Sequence, residues 1–196
     1  MAYKLRPFRD YDEHDVLNLF SYDTTNLSAG SINVTKGTLV KIATGWKNYD
    51  SGSELGGGIE FIGGAGTLQP GNVVSQRYGV TAKVVYANTG ETPIGMTLYD
   101  VRDTDENGEQ LKYNPRKAAE MQVVIPGQAV PVVTRGIFLV QGVLGTPTAG
   151  GTAYAGGTGQ ITSRTGDSAG NIANVAIGKF LGAADVNGET LVKLAL

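Results

Sequence analysis

The sequence predicts a mainly β protein with one short helix and an extended N-terminal arm. The 196 residues include 29 glycines, which favour turns and bulges over long helices. The apolar stretches are short and rich in β-branched and aromatic residues, and turn sequences of the Asn-Gly type separate them. We assign residues 1–30 to the arm and residues 31–196 to the β-rich domain, with a candidate subdivision near residue 90.

The arm is assigned because its aromatic and charged residues follow no clean strand or helix period. Only the stretch from Asp12 to Leu19 is compatible with a short helix. An arm of this kind cannot bury its aromatic side chains by itself, so they become candidate contacts for a protein partner. An ordinary first strand packed on the domain's own core explains the same residues equally well. The candidate partner-binding residues are Tyr3, Phe8, Tyr11, Phe20 and Tyr22.

Two strands are predicted in the first part of the domain. Val34, Thr38, Val40 and Ile42 occupy alternating positions, which is typical of one face of a strand. Residues 73–86 are rich in β-branched and aromatic types and predict another strand.

The middle of the chain predicts a hairpin followed by the one helix. In residues 94–113, IGMTLYDV and EQLKY flank the acidic turn DTDENG. Asn114 and Pro115 then have the residue types of an N-cap and a first helical turn, and the helix is expected to continue to Met121.

The last third predicts short strands between frequent turns. Pro126 and Pro131 lie close to apolar stretches, which places those strands at sheet edges or makes the prolines strand starts. Residues 145–171 are rich in Gly, Thr, Ala and Ser, and AY and QIT are spaced within them as very short strands. The chain closes with a hairpin around Asn187 and Gly188.

One stretch of the sequence echoes another. The order of Ile-Gly, Leu, Asn-Gly-Glu and Leu in residues 94–111 recurs in residues 177–191, with three extra residues in the first copy. We interpret the echo as two hairpins that use the same turn chemistry rather than as a duplication, because few positions agree.

Composition excludes several classes of protein. The net charge of −2 argues against nucleic-acid binding, which usually requires a basic stripe to neutralise phosphates. The absence of cysteine excludes disulfides and thiolate sites and fits a reducing cytoplasm. The chain shows no signal-peptide pattern, and its apolar stretches are too short to span a bilayer. Charged residues make up 17%, below the roughly 25% usual for soluble domains, which suggests that part of the surface meets protein.

The sequence offers little catalytic or metal-binding equipment. His14, the only histidine, lies in an acidic stretch and is expected to be solvated. Asp103 to Gly108 match the first six positions of a calcium loop, but Asn114 stands where a bidentate glutamate should close the shell. A tight acidic turn is the favoured interpretation. We therefore expect no catalytic residues, no cofactor and no metal, and a protein that is not an enzyme.

Four phrases in the last third of the chain are similar to those of a known family. They are Gly136-Ile137-Phe138, Gly151-Thr152-Ala153-Tyr154, Gly159-Gln160-Ile161-Thr162 and Ile177-Gly178-Lys179-Phe180-Leu181. On these phrases, residues 123–196 resemble the capsid decoration, or cement, proteins of tailed bacteriophages. The chain departs from the small members of that family by its long N-terminal half.

The resemblance implies a compact β-barrel or β-tulip-like domain, and a structural virion protein made in the bacterial cytoplasm. It would bind the major capsid protein on the outer surface of the expanded shell, bridge neighbouring capsomers, and associate with its own copies as a homotrimer, without nucleic acid or membrane as partners. The N-terminal arm would add a strand to a capsid-protein edge, and removing residues 1–22 would then weaken attachment without unfolding the domain. The alternatives are another virion component, such as a head-fibre base or a tail protein, a carbohydrate-binding β module that uses Trp46, and lastly a carboxylate-dependent hydrolase.

Overall fold

The computed structural model describes residues 4–23, 32–45, 82–166 and 172–196, and these residues form the predicted mainly β fold. The strands are β1 (Lys4–Asp10), β2 (Val16–Leu17), β3 (Ser21–Tyr22), β4 (Ile32–Val34), β5 (Leu39–Thr44), β6 (Lys83–Tyr86), β7 (Gly95–Thr97), β8 (Asp100–Arg102), β9 (Val123–Val124), β10 (Val132–Val133), β11 (Arg135–Gln141), β12 (Thr152–Ala155), β13 (Ile161–Thr162), β14 (Val175–Phe180) and β15 (Glu189–Ala195). One α-helix, α1 (Pro115–Glu120), lies in the described part, as predicted, and short 3-10 turns occur at Glu13–Asp15, Leu111–Tyr113 and Gly157–Gly159.

The strands form three sheets. The C-terminal sheet has the order β1-β11-β15-β14-β12-β13 and curls like half of a barrel. The central sheet has the order β2-β10-β7-β5-β6-β3, and the small sheet has the order β4-β8-β9. All pairings are antiparallel except β3 with β6 and β8 with β9.

The central sheet is buried on both faces. Leu39 joins the apolar cluster between the central and C-terminal sheets, whereas its neighbour Val40 joins the cluster on the opposite side. Both side chains are fully buried, as are Phe138 and Phe180 on the inner face of the C-terminal sheet. Each such side chain contributes roughly 1.5–3 kcal/mol by leaving water. Burial on both faces explains why the adjacent residues Leu39 and Val40 of β5 are both apolar.

The central and C-terminal sheets contain two copies of one five-stranded arrangement. In chain order, β2, β5, β6, β7 and β10 correspond to β11, β12, β13, β14 and β15, and the spatial order is the same in each sheet. All pairs within both sets are antiparallel. In the first copy, β8, α1 and β9 are inserted in the chain between β7 and β10. The third strand of the small sheet, β4, comes earlier, between β2 and β5.

The register of the two copies agrees residue by residue. Val40 pairs with Gly95 in the first copy, and Ala153 pairs with Gly178 in the second. Two backbone hydrogen bonds also recur. The bond from Gly37 N to Thr97 O (2.7 Å) corresponds to the bond from Gly150 N to Phe180 O (2.9 Å). The bond from Thr97 N to Thr38 O (2.9 Å) corresponds to the bond from Phe180 N to Gly151 O (2.8 Å). The Ile-Gly part of the echo therefore has a structural counterpart in each copy. The interpretation as shared turn chemistry holds for the Asn-Gly-Glu part, because that turn follows β8 in the first copy and joins β14 to β15 in the second.

Both copies need glycine at the same position. A Cβ on Gly95 would stand 2.6 Å from the carbonyl oxygen of Val133 on β10. A Cβ on Gly178 would overlap the carbonyl oxygen of Lys193 on β15. The Ile-Gly pair that the sequence repeats is thus the point where a neighbouring strand approaches the backbone most closely.

The N-terminal segment is part of the domain rather than an extended arm. In residues 4–23, β1 pairs with β11, β2 pairs with β10, and β3 pairs with β6. Phe20 and Tyr22 are 7% and 3% exposed and belong to the chain's own core. Burial raises the pKa of Tyr22 to about 12, and its hydroxyl oxygen accepts a hydrogen bond from the Tyr86 amide at 3.1 Å. Removal of residues 1–22 would delete these strands and the core residue Phe20. We therefore withdraw the prediction that the domain stays folded without residues 1–22.

Other expectations for the first half need correction. β5 pairs with both β6 and β7, so the domain does not divide near residue 90. The predicted alternating face is split, since Val34 lies in the small sheet and Ile42 is 46% exposed. The strand predicted at residues 73–86 is present at β6, and its first part lies outside the described residues. In the hairpin predicted at 94–113 the turn is present, but EQLKY forms a 3-10 turn instead of a strand.

The two acidic turns have the same geometry. Asp105 Oδ1 accepts hydrogen bonds from the amides of Asn107 and Glu109, both at 2.8 Å. Asp185 Oδ1 accepts from the amides two and four residues later at 2.9 and 2.8 Å. Asp105 differs in being buried and in accepting a further hydrogen bond from Lys117 Nζ through Oδ2. Both carboxylate oxygens of Asp105 therefore accept hydrogen bonds within the chain, which supports the tight-turn interpretation over a calcium loop.

Replacement of Gly178 by alanine is expected to destabilise the fold by about 2 kcal/mol or more, because the new Cβ meets backbone that cannot rotate away. Gly182→Ala is the matched control, since a Cβ there has nothing within 4 Å. Urea unfolding of the two variants and the parent measures the difference. Equal midpoints for Gly178→Ala and the parent would contradict the close approach of β14 and β15.

Asp105→Asn is expected to lower stability at neutral pH and to lose this effect in acid. The hydrogen bond from Lys117 and those from the turn amides hold the pKa of Asp105 below its usual value. The carboxylate therefore stabilises the folded state above about pH 4 and stops doing so as the pH falls through its lowered pKa. The unfolding midpoints of the parent and of Asp105→Asn should converge as the pH drops. Asp185→Asn, in the turn of the same geometry, is the matched control. A gap that persists undiminished at low pH would contradict this role of Lys117.

Candidate partner-binding surface

The side of the C-terminal sheet that faces away from the core is a candidate surface for protein contact. Along β11, Phe138 and Val140 are buried in the core, so the alternate residues Ile137 and Leu139 lie on the opposite side. Leu191 pairs directly with Leu139 from the neighbouring β15. We call this side the exposed face and define it by Ile137, Leu139, Leu191, Lys179 and Lys193.

Two lysines stand directly opposite each other on the exposed face. Lys179 of β14 pairs with Lys193 of β15, and neither has a salt bridge to another described residue. Directly opposed like charges destabilise a sheet by roughly 0.2–1 kcal/mol. Edge strands often carry lysine to prevent sheet-to-sheet pairing, but β14 and β15 are the central strands of their sheet. Edge protection therefore does not account for the pair.

The duplicated fold shows what the equivalent face does in the other copy. Lys179 corresponds to Met96 and Lys193 corresponds to Val133, because each pair follows the equivalent glycine, Gly178 or Gly95, in the same register. Met96 and Val133 are fully buried where the central sheet packs on the C-terminal sheet. The exposed face is thus the structural equivalent of a packing surface, altered so that an apolar sheet cannot stack on it.

The exposed face is electrostatically asymmetric. At one end Lys179 and Lys193 add positive charge beside Ile137. At the other end Arg6 Nε lies 2.6 Å from Glu189 Oε1, so the charges there are balanced. A partner that covers the face would meet an apolar centre with a positive end, which favours carboxylates opposite the lysines.

The partner-binding residues predicted from the sequence differ in how exposed they are in the structure. Tyr3 lies outside the described residues. Phe8 is 53% exposed, and Tyr11 is 37% exposed with its ring stacked on Phe138 at a centroid distance of 5.9 Å. Phe20 and Tyr22 are buried in the chain's own core and are withdrawn as contacts for a partner.

β1 is poorly suited to the strand addition that the resemblance implied. It is the edge strand of the C-terminal sheet, so its outer side is open. Its register shifts between Leu5 and Arg9, and Pro7 within the shift has no amide to donate. A partner strand would meet an interrupted ladder, and contact through side chains such as Phe8 is favoured instead.

The described residues form no side-chain cluster that could hold a metal ion. No cluster of three or more His, Asp or Glu side chains occurs within the described ranges. The His14 side chain is 97% exposed, and its Nδ1 lies 2.6 Å from Asp12 Oδ1. Hydrogen bonds from the His14 amide and ring lower the pKa of Asp12 by stabilising its carboxylate. In the same ranges, no helix has the length and apolarity needed to cross a bilayer.

The exposed face could not be found from the sequence alone. Lys179 and Lys193 are separated by the closing hairpin, and their opposition depends on its register. The alternation of Ile137 and Leu139 with buried neighbours was the available signal. No protein-family model, curated protein or solved structure matches this chain.

Proposed function

We propose that this chain is a structural virion protein that binds the outer surface of a tailed-phage capsid, bridges neighbouring capsomers and stabilises the expanded shell. The resemblance of residues 123–196 to decoration proteins supplies the capsid as partner. The structural observation that supports attachment to a protein is the exposed face, with its aliphatic centre and its two opposed lysines.

The exposed face has the parts that a protein interface requires. Ile137, Leu139 and Leu191 are half-buried in the free chain and would lose their remaining water beneath a partner. Lys179 and Lys193 would meet carboxylates, which relieves the repulsion between them and fixes the orientation of the partner. Most of the attachment energy would come from the apolar centre, and the lysines would supply specificity.

A shell presents many identical binding positions, so weak contacts at one position are sufficient when several are linked. Association of the chain as a homotrimer, which is part of the proposal, would raise the effective concentration of the second and third contacts. Each contact could then remain modest while the assembly stays attached.

The test is co-sedimentation of the purified chain with shells built from the major capsid protein of the same phage. Expanded shells and unexpanded proheads are compared at increasing concentrations of the chain. Saturable binding to expanded shells alone is expected, because decoration acts after expansion. Absence of binding to both would overturn the proposal and would direct attention to tail structures and, through tryptophan fluorescence of Trp46, to glycans.

Lys179→Glu is expected to separate stability from attachment. The substitution converts the Lys179–Lys193 pair into an opposite-charge pair, so the free energy of unfolding should rise by about 0.5 kcal/mol. Binding to expanded shells should weaken at the same time, because the lysine no longer meets a carboxylate. Urea unfolding and co-sedimentation measure the two effects.

The control variant is Arg116→Glu, which makes the same change in net charge on α1, at a side chain that is 92% exposed. It should leave attachment to expanded shells unchanged. Equal attachment of Lys179→Glu and the parent chain would contradict the role given to the exposed face.

A further inference from the structure

A second surface feature lies beside β1, away from the exposed face. It is a cleft of about 470 Å³, lined by Pro7, Arg9, Tyr11, Lys36, Tyr99 and Gln122. The lining contains two cationic side chains and no carboxylate. Tyr99 packs on both apolar clusters, so this wall of the cleft is anchored in the core.

Arg9 is held in place with part of its hydrogen-bonding capacity unused. β1 pairs Arg9 with the buried Phe138, which turns the arginine toward the interior side of the sheet. Its Nη1 donates to the Leu98 carbonyl oxygen at 3.2 Å. Its Nε is buried and has no hydrogen-bond partner among the residues that the structure describes, and no described acid forms a salt bridge with the guanidinium. An unsatisfied buried donor is costly, and an acceptor bound in the cleft would offset that cost.

Lys36 adds a second positive charge without being neutralised. The Lys36 amide donates a hydrogen bond to Asp100 Oδ1 at 2.7 Å. This bond fixes the backbone of Lys36, while its ammonium group has no salt bridge to a residue in the described ranges. This hydrogen bond from the backbone amide therefore positions Lys36 at the cleft and leaves its ammonium group unpaired among the described residues.

The backbone at Gln122 is also unusual. Gln122, which follows the C-cap residue Met121 of α1, has a φ of 54°, and glycine at such a position avoids the steric cost of the left-handed region. Its exposed side chain lines the cleft, so the position retains an amide that glycine would lack. The fold thus keeps a strained residue with a polar side chain at this place.

We propose that the cleft is a carboxylate-binding site that takes an Asp or Glu side chain of a protein partner. The planar guanidinium of Arg9 suits a bidentate pair with the two oxygens of a carboxylate, once the side chain turns enough to bring its buried Nε to the ligand. Lys36 adds the second charge, Gln122 supplies an amide, and Tyr11 and Tyr99 flank the acidic side chain with ring surface. The site is independent of the identity of the partner, and it stands or falls separately from attachment to a capsid.

The test follows the Arg9 Nε–H resonance of the ¹⁵N-labelled full chain by nuclear magnetic resonance. The probes are a short end-blocked peptide with adjacent glutamates, its glutamine counterpart, sodium acetate and inorganic phosphate, all at matched ionic strength. The expected result is a saturable shift with the glutamate peptide, a weaker shift with acetate, and none with the glutamine peptide. Phosphate should bind no more tightly than acetate.

Three variants make the test specific. Arg9→Lys keeps the charge but lacks the bidentate edge, and it should weaken binding of the glutamate peptide at least tenfold, followed through the amides around the cleft. Gln122→Gly should weaken binding while raising the melting temperature, because it relieves the backbone strain. Arg116→Gln, on α1 and away from both surfaces, should bind the peptide as the parent does.

Two results would overturn the proposal. One is a shift that is equal for the glutamate and glutamine peptides or that follows ionic strength alone. The other is unchanged binding by Arg9→Lys. Peptide binding together with failed co-sedimentation would remove only the capsid from the account, whereas the reverse would remove only the cleft.

Discussion

The apolar layer between the central and C-terminal sheets is the constraint on which the rest of the structure depends. Leu39, Met96 and Val133 pack from one side against Phe138 and other buried residues of the opposite sheet. This layer holds the two five-stranded copies face to face. It also decides which side of each sheet remains for other purposes, because the second copy has its opposite side exposed while the first copy is covered by the small sheet and by Phe20 and Tyr22.

The duplication gives the exposed face its meaning. In the first copy the corresponding positions carry Met96 and Val133 and make a sheet-to-sheet contact within the chain. In the second copy Lys179 and Lys193 occupy these positions, so a further apolar sheet is rejected and a partner with carboxylates is favoured. The side of the sheet that packs in the core in the first copy is thus, in the second copy, a surface of different chemistry that can contact a partner.

Local chemistry was predictable from the sequence, and long-range pairing was not. Pro115 marked the helix correctly, and the Asn-Gly turn at Asn187 marked the closing hairpin, because each signal is contained in a few neighbouring residues. Phe20 was misplaced because its burial depends on strands far away in the sequence. The Arg9 cleft was likewise invisible, since its wall comes from β1, the turn before β5, and the residues beside β8. The mainly β class was confirmed, whereas the capsid as partner stays a proposal.

The most direct test of the account is a cryo-electron microscopy reconstruction of expanded shells saturated with the chain. We predict density for the chain on the outer surface, with the exposed face turned toward the capsid protein and acidic side chains opposite Lys179 and Lys193. Contact made instead through the small sheet or α1, with the exposed face open to solvent, would contradict the account, as would shells that carry no such density.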